Sequence, residues 1–354
     1  MRKLASIQKI KNISPIQGAD KIETVTVNGW NVVTKKGEYG VGDLVIYCQV
    51  DSLLPIRDEF EFLRKSSYKK IPNGDEGFRL KTIRLRGTVS QGLVLPLSTF
   101  RSYGYDILLD ENQIILVDLI TKVDEYLQLG DDVTDLLEIV KYEPPIPANL
   151  QGKVKGHFPS FIPKTDEERV QNLTEDYHTL TTKQWFVTEK LDGSSATFYL
   201  NCGEFGVCSR NLELLETHDN TFWKVARELQ LEEKLREFGK NIAIQGELVG
   251  EGVQKNPYNL RGQTVYFFNV FDIDKFEPYT PSDFISTIQS MGLQTVPVIE
   301  TSWTIPNQVT ELIQYADGKS ILHKQADREG VVCRLHKAST SFKVISNKFL
   351  LNEK

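Results

Sequence analysis

Residues 187–200, VTEKLDGSSATFYL, set a lysine, an aspartate and a glycine between two apolar runs. Asp and Gly tolerate turn dihedrals that other residues resist, so LDGS reads as a tight turn and ATFYL as the strand that returns from it. That reading needs no chemistry. The same residues also suit a nucleophile. A lysine amine attacks only when deprotonated, so it needs neighbours that disfavour its proton, such as another cation or a metal ion, and carboxylates to hold that metal. The rest of the chain decides between the two.

Groups of that kind recur downstream, in order. Cys208-Ser209-Arg210-Asn211 closes the hairpin begun at Ala196 and brings Arg210 back towards Lys190. Gln245-Gly246-Glu247-Leu248-Val249 buries a carboxylate in an apolar strand, which is costly without a purpose. Tyr266-Phe267-Phe268-Asn269-Val270-Phe271-Asp272 is an aromatic-rich strand ending in Asp. Then come Arg328-Glu329-Gly330-Val331-Val332 and Ser341-Phe342-Lys343-Val344-Ile345-Ser346. Singly, each has a plainer reading: Glu247 and Glu329 as salt-bridge partners, Phe271 as core, Lys343 as a solvent-facing lysine, Arg210 as a hairpin cap.

Composition sets the frame. The chain has 354 residues, 40% of them hydrophobic, enough for two cores. The start, MRKLASIQKI, has no apolar run of the signal-peptide kind, and no run approaches the ~18 residues of a membrane span. A cytoplasmic protein with no membrane segment is expected. Four cysteines form no CxxC pair and five histidines fall in no zinc-ligand spacing, so reduced thiols and no structural zinc are expected. The formal net charge is −6, yet the 23 residues from Arg64 to Arg86 carry Arg64, Lys65, Lys69, Lys70, Arg79, Lys81, Arg84 and Arg86 against Asp75 and Glu76, a local +6. This is either a solvated face or a contact surface for a phosphate backbone, with Arg79, Lys81, Arg84 and Arg86 as the nucleic-acid-binding candidates.

The texture changes along the chain. Residues 1–145 are short strands cut by turn signals, such as KIETVTV, WNVVTKK, DLVIYCQV and GLVLPL, which suit a small barrel of the OB kind. Residues 146–162 lie in a proline-rich linker. Residues 163–354 are mixed. FWKVARELQLEEKLREFG places Phe222, Val225, Ala226, Leu229, Leu235 and Phe238 on one helical stripe ended by Gly239. Thr280 as N-cap, Pro281 and Gly292 bound a further helix. The fold class is α+β.

KxDG, SRN, an acidic strand, an aromatic-Asp strand, EG with three apolar residues and a terminal lysine strand together resemble the collinear motifs of the covalent nucleotidyltransferases. From Pro163 onward the chain resembles the adenylyltransferase domain of ATP-dependent polynucleotide ligases. It is most similar to the RNA-ligase branch that carries an OB module before the catalytic domain, including the segment GEGVQKNPYNL.

The resemblance implies antiparallel sheets with flanking helices and an enzyme that joins 3′-hydroxyl to 5′-phosphate RNA ends. Lys190 would attack the ATP α-phosphate and carry AMP, with Asp192 and Lys343 also catalytic. Asp192, Glu247 and Glu329 would hold hydrated Mg²⁺ or Mn²⁺, some contacts running through water. Lys343 would neutralise the α-phosphate and depress the lysine pKa. Arg210 and Glu247 would contact the ribose, Phe271 would stack on adenine, and the Glu189 backbone would contact the base. The family's last motif has two lysines one residue apart; Ile345 takes the second place here, which leaves Lys348 as the candidate second phosphate contact.

The implied partners are RNA ends, in a nicked duplex or an RNA/DNA hybrid, and a monomer is expected. A DNA ligase or guanylyltransferase using the same lysine is the alternative within enzymes, disfavoured because no C-terminal OB module follows Lys343. A non-catalytic OB-type nucleic-acid-binding protein is the alternative outside them.

Overall fold

The computed structural model describes residues 3–70, 76–110, 113–142, 152–336 and 340–352. Part of the expected linker (146–151) and the middle of the basic segment (71–75, with Asp75) lie outside the described residues. The chain forms two compact units, Met1–Pro145 with Gln171–Glu175, and Ile146–Val170 with Asp176–Lys354.

One long strand organises the first unit. Ala5–Pro15 bends at a register shift between Ile10 and Asn12, so its first half pairs with Leu44–Cys48 and its second with Ile22–Val27. An extra residue kinks a strand and increases its twist, which lets one strand serve two walls of an OB-like barrel. The sheet order is Leu93–Pro96, Leu44–Cys48, Ala5–Pro15, Ile22–Val27, Trp30–Lys35. Leu44–Cys48 is apolar throughout because both its faces are buried. Val45 and Tyr47 meet Val25, Val27 and Trp30, whereas Ile46 and Cys48 meet Leu54, Phe60 and Phe78. Beyond these strands lies a three-stranded meander, Tyr105–Asp110, Gln113–Asp118 and Asp124–Leu127.

The return of Gln171–Glu175 to this unit has no counterpart in the boundaries drawn from sequence. The Gly29 N–H donates to the Gln171 carbonyl at 3.0 Å, and the buried Trp30 indole donates to Asn172 at 2.6 Å. A Cβ on Gly29 would lie 3.0 Å from Gln171 Cα, so glycine is what admits the segment.

Two sheets build the second unit. A seven-stranded sheet runs Val154–His157, Leu212–Leu214, Glu204–Cys208, Ser194–Asn201, Ile242–Gly250, Gln263–Asp272, Glu277–Pro278. A five-stranded one runs Glu168–Arg169, Ser341–Ile345, Gly330–Leu335, Trp185–Lys190, Val298–Trp303. One face of the larger sheet carries the core: Phe198, Ile244 and Phe267 pack with Val225, Leu231, Leu235, Phe284 and Ile288 from three helices. Each such side chain contributes roughly 1.5–3 kcal/mol by leaving water. The opposite face is left for the site.

The expected helix from Phe222 to Phe238 is instead two, Thr221–Glu228 and Leu231–Phe238. Gln230 breaks it, adopting a left-handed φ of 54°, and the break lets Leu231 and Leu235 join the core beside Phe222 and Val225. The second stop is as read, with Gly239 at φ 73°. Thr280 caps Pro281–Ser290, its hydroxyl accepting from the Asp283 N–H at 3.3 Å. Among the described residues no helix is long and apolar enough to cross a membrane, and the four cysteines are unbonded.

Candidate active site

Lys190 ends its strand opposite Gly330, with its Nζ 2.6 Å from Glu329 Oε1. The chain turns through Asp192 and Gly193 into Ser194–Asn201, which places Ser195 opposite Glu247. Gly193 and Gly330 owe their identity to close approach, since neither has a left-handed backbone. A Cβ on Gly193 would strike the Leu248 carbonyl and the Glu247 side chain; one on Gly330 would strike the Val344 carbonyl. The two glycines thus bring the KLDG turn against the Glu247 strand and Glu329 against the Lys343 strand.

A second brace comes from residues 251–262. The Tyr258 hydroxyl accepts from the Asp192 N–H at 2.5 Å, and Gln254 Nε2 donates to the Gly193 carbonyl at 3.3 Å. Gln254, Lys255, Asn256 and Asn259 all have positive φ, from 43° to 60°. Backbone held in that sparsely populated region is characteristic of functional loops. In the sequence this segment stands out only through the resemblance it carries.

Charge is crowded here. Burial drives the Glu247 carboxyl up to about 8; Lys190 and Arg210 oppose the shift, while Glu329 and Asp192 add to it. Burial alone would lower the Lys190 ammonium, but Glu329, Glu247 and Glu167 outweigh it and hold Lys190 above the ordinary lysine range. Lys190, the candidate nucleophile, is therefore held in its charged form, whereas the sequence-based expectation is a depressed lysine. The depressed amine is Lys343. Burial pushes it down to about 8 against the pull of its partner Asp166, with Arg169 and Lys190 adding to the fall.

The segment 163–169, PKTDEER, carries no motif, yet it lines this site. The Pro163 carbonyl accepts from Gln245 Nε2 at 3.1 Å, and Lys164 donates to Asn211 at 3.0 Å. Asp166 Oδ1 lies 2.6 Å from Lys343 Nζ, and its Oδ2 lies 3.9 Å from Arg210 Nη2. Glu167 pairs with Arg334 at 2.9 Å, and the buried Arg169 is the parallel partner of Lys343. A charge-dense run beside a proline-rich linker carries no mark that separates it from a solvated one.

Two candidates stand elsewhere than expected. Phe271 is 2% exposed, closed in by Ile162, Tyr199 and Ala243, so its ring has no face to offer a base. A bulge between Gln245 and Gly246 in the pairing with Gln263–Asp272 leaves Phe268, half-buried, against Leu191, Val249 and Tyr258 instead. Lys348 is exposed on the short helix Asn347–Asn352, its N–H donating to Asp317 at 3.4 Å, while the strand position two after Lys343 is the buried Ile345. The Glu189 N–H is committed to the Pro297 carbonyl at 2.9 Å, so the carbonyl of Glu189 is the backbone atom suited to an adenine amine.

Among the described residues no three His, Cys, Asp or Glu side chains converge as a ready-made metal cage. Glu329, Glu247 and Asp192 nevertheless supply hard oxygen donors whose mutual repulsion a cation would relieve.

In the first unit, the basic candidates divide. Arg79 is turned inward, 3.4 Å from Asp51 and 4.3 Å over the Tyr142 ring, and is thus engaged in building the unit. Lys81 is half-buried. Arg84 and Arg86 are exposed on the hairpin Thr82–Leu85/Thr88–Gln91. Its turn residues Arg86 and Gly87 both have positive φ, the pattern of a tight hairpin turn, and Arg84 donates to the Gly87 carbonyl at 2.9 Å.

Comparison with known proteins gives a consistent picture. A family model described as an OB-fold domain matches residues 4–97, and one described as RNA ligase matches residues 183–345. No curated protein sequence matches. Among solved structures, an RNA ligase of Naegleria gruberi with PPi is 39% identical, with TM-score 0.86, covering 99% of this chain and 98% of that one. A point mutant of that ligase with AMP and Mn is 38% identical at TM-score 0.86, covering 99% of this chain and 98% of that one. Another mutant, with ATP and Mn, is 38% identical at TM-score 0.85, covering 98% of each.

Proposed function

The chain belongs to the RNA ligase family, and on that premise we propose that it joins 3′-hydroxyl to 5′-phosphate RNA ends with ATP, through AMP carried on Lys190. The observation that carries the reading is the Lys190–Glu329 pair at the mouth of the KLDG turn, with Glu247 across from it.

Lys190 Nζ gives up a proton and attacks the α-phosphorus; the bond to the β-phosphate oxygen breaks and pyrophosphate leaves. The phosphoramidate then passes its AMP to a 5′-phosphate oxygen of the RNA. The 3′-hydroxyl attacks that 5′-phosphorus, loses its proton, and displaces AMP. Lys343 and Arg210 hold the phosphate and ribose, acting as fixed charges where negative charge develops. Phe268, beside Leu191, offers its half-buried face to adenine, with the Glu189 carbonyl at the base edge. Tyr258 holds the Asp192 backbone beside Lys190.

Mg²⁺ or Mn²⁺ on Glu329, Glu247 and Asp192 would neutralise the carboxylates that keep Lys190 charged and stabilise charge on the α-phosphate. With few protein oxygens to share, it would keep several waters.

Arg84 and Arg86, exposed on their hairpin, grip the RNA backbone. The physiological work we assign is sealing of breaks, in a nicked RNA duplex or an RNA/DNA hybrid, by a monomer in the cytoplasm. A nicked RNA duplex tests this. Sealing with ATP when the break carries 5′-phosphate and 3′-hydroxyl, and none when the 5′ end is a hydroxyl, is expected. Adenylylated protein that seals neither duplex nor single-stranded ends would contradict it.

A further inference from the structure

Asp166 stands where an incoming anion belongs. Its carboxylate reaches Lys343 at 2.6 Å and Arg210 at 3.9 Å, the two cations assigned above to the phosphate and ribose. We propose that Asp166 is an internal counter-anion of the nucleotide site, a carboxylate that the phosphates of ATP displace from Lys343, and that it thereby sets nucleotide affinity. The inference rests on the proposed roles of Lys343 and Arg210.

Charge balance is the reason such a group is needed. Lys343 is 8% exposed, and Arg169, beside it in the parallel strand pair, is 6% exposed. Buried cations that close are costly unless an anion compensates them. Glu167 pairs with Arg334 at 2.9 Å, and Asp166 is the carboxylate that meets Lys343 Nζ directly, at 2.6 Å.

The segment around Asp166 is fixed on both sides. Gln245 holds the Pro163 carbonyl and Asn211 holds Lys164, while Glu168–Arg169 pairs with the Lys343 strand. The Asp166 side chain is thus presented by a held backbone. Its contact to the exposed Arg210 is long and exchangeable. A triphosphate carries more charge than one carboxylate and can take both cations, at the cost of releasing Asp166. Nucleotide-free enzyme keeps its phosphate site neutralised, and ATP binds more weakly than the bare cations would allow.

The test is calorimetric titration of the full chain with α,β-methylene-ATP in Mg²⁺ at pH 7, which cannot yield pyrophosphate across its methylene bridge, and with adenosine, which has no phosphate. Asp166→Asn and Asp166→Ala should each bind the analogue about fivefold or more tightly than the native protein, with adenosine unchanged and the gain shrinking as salt rises. Unchanged or weaker analogue binding with adenosine binding intact would overturn the proposal. Should the variants lose their fold, a crystal structure of the native protein with the analogue decides. Lys343 on a phosphate oxygen and parted from Asp166 supports it; Lys343 still paired with Asp166 and the phosphates elsewhere refutes it. Native protein that bound neither probe would remove the nucleotide-site reading, and this inference with it.

Discussion

Lys190 Nζ and Glu329 Oε1 lie 2.6 Å apart, so the proposed nucleophile rests as one half of an ion pair. Glu329 therefore has two opposed effects on Lys190: it holds the proton that must leave, and it is a candidate ligand of the cation that releases it. Glu329→Gln separates them. Without Glu329 the Lys190 pKa falls, and Lys190 should react faster with an amine reagent at pH 8, because more of it is free amine. Its labelling by ATP should nonetheless fall at least about 100-fold. Peptide mass spectrometry reads the first and radiolabel the second; both rates moving in the same direction would break the account.

Lys343 sets a limit at high pH. Its pKa is down to about 8, so its positive charge is present below that value and is lost as pH rises through it. Adenylylation should rise with pH as Lys190 sheds its proton and then fall above about pH 8. Lys343→Arg stays charged, so the descending limb should move upward by a pH unit or more, about the range a guanidinium covers, even if the peak rate drops. The measurement is initial rate of label incorporation from pH 6 to 10. A descending limb unmoved in the arginine variant would assign it to another group.

Gly330→Ala tests the close approach of two strands. Its Cβ would strike the Val344 carbonyl, whereas Gly156→Ala, in the strand Val154–His157, meets nothing within 4 Å. The first should cost about 2–4 kcal/mol in chemical denaturation and the second stay within about 0.5 kcal/mol. Equal effects would mean that the strands can part without penalty.

The hairpin and the barrel wall should behave differently. Arg84→Glu with Arg86→Glu should weaken RNA binding at least about tenfold and flatten its salt dependence, with self-adenylylation unchanged. Arg79→Ala should instead lower stability, because it removes the partner of Asp51 and Tyr142. Filter binding across a salt series, with thermal melts, distinguishes them; a folded Arg79→Ala protein with specific loss of RNA binding would restore Arg79 to the interface.

What could be read from sequence was what backbone geometry forces. Gly193 and Gly330 are where strands touch, so KLDG and EGVV are visible as motifs, and Thr280 with Pro281 marks a helix start because capping is local. What escaped depends on context. Phe268 and Phe271 cannot be told apart by alternation, since a bulge shifts the register between them. Lys348 is three residues past Ile345, but the strand ends first and a helix begins. Asp166 looks like one charge among many until Lys343 and Arg210, 177 and 44 positions away, are brought to it by the sheets. The side-chain direction of Arg79 is likewise decided by Asp51 and Tyr142, far along the chain.

The central claim is that Lys190 is the nucleophile that carries AMP. Incubation of the purified protein with α-labelled ATP or GTP and Mn²⁺ or Mg²⁺, followed by denaturing electrophoresis, tests it with Lys190→Ala alongside. Label from ATP alone, stable to denaturation, absent in the variant and released as ATP by pyrophosphate, is the expected result. Label that persists in Lys190→Ala, or none from folded protein shown not to be adenylylated already, would contradict it.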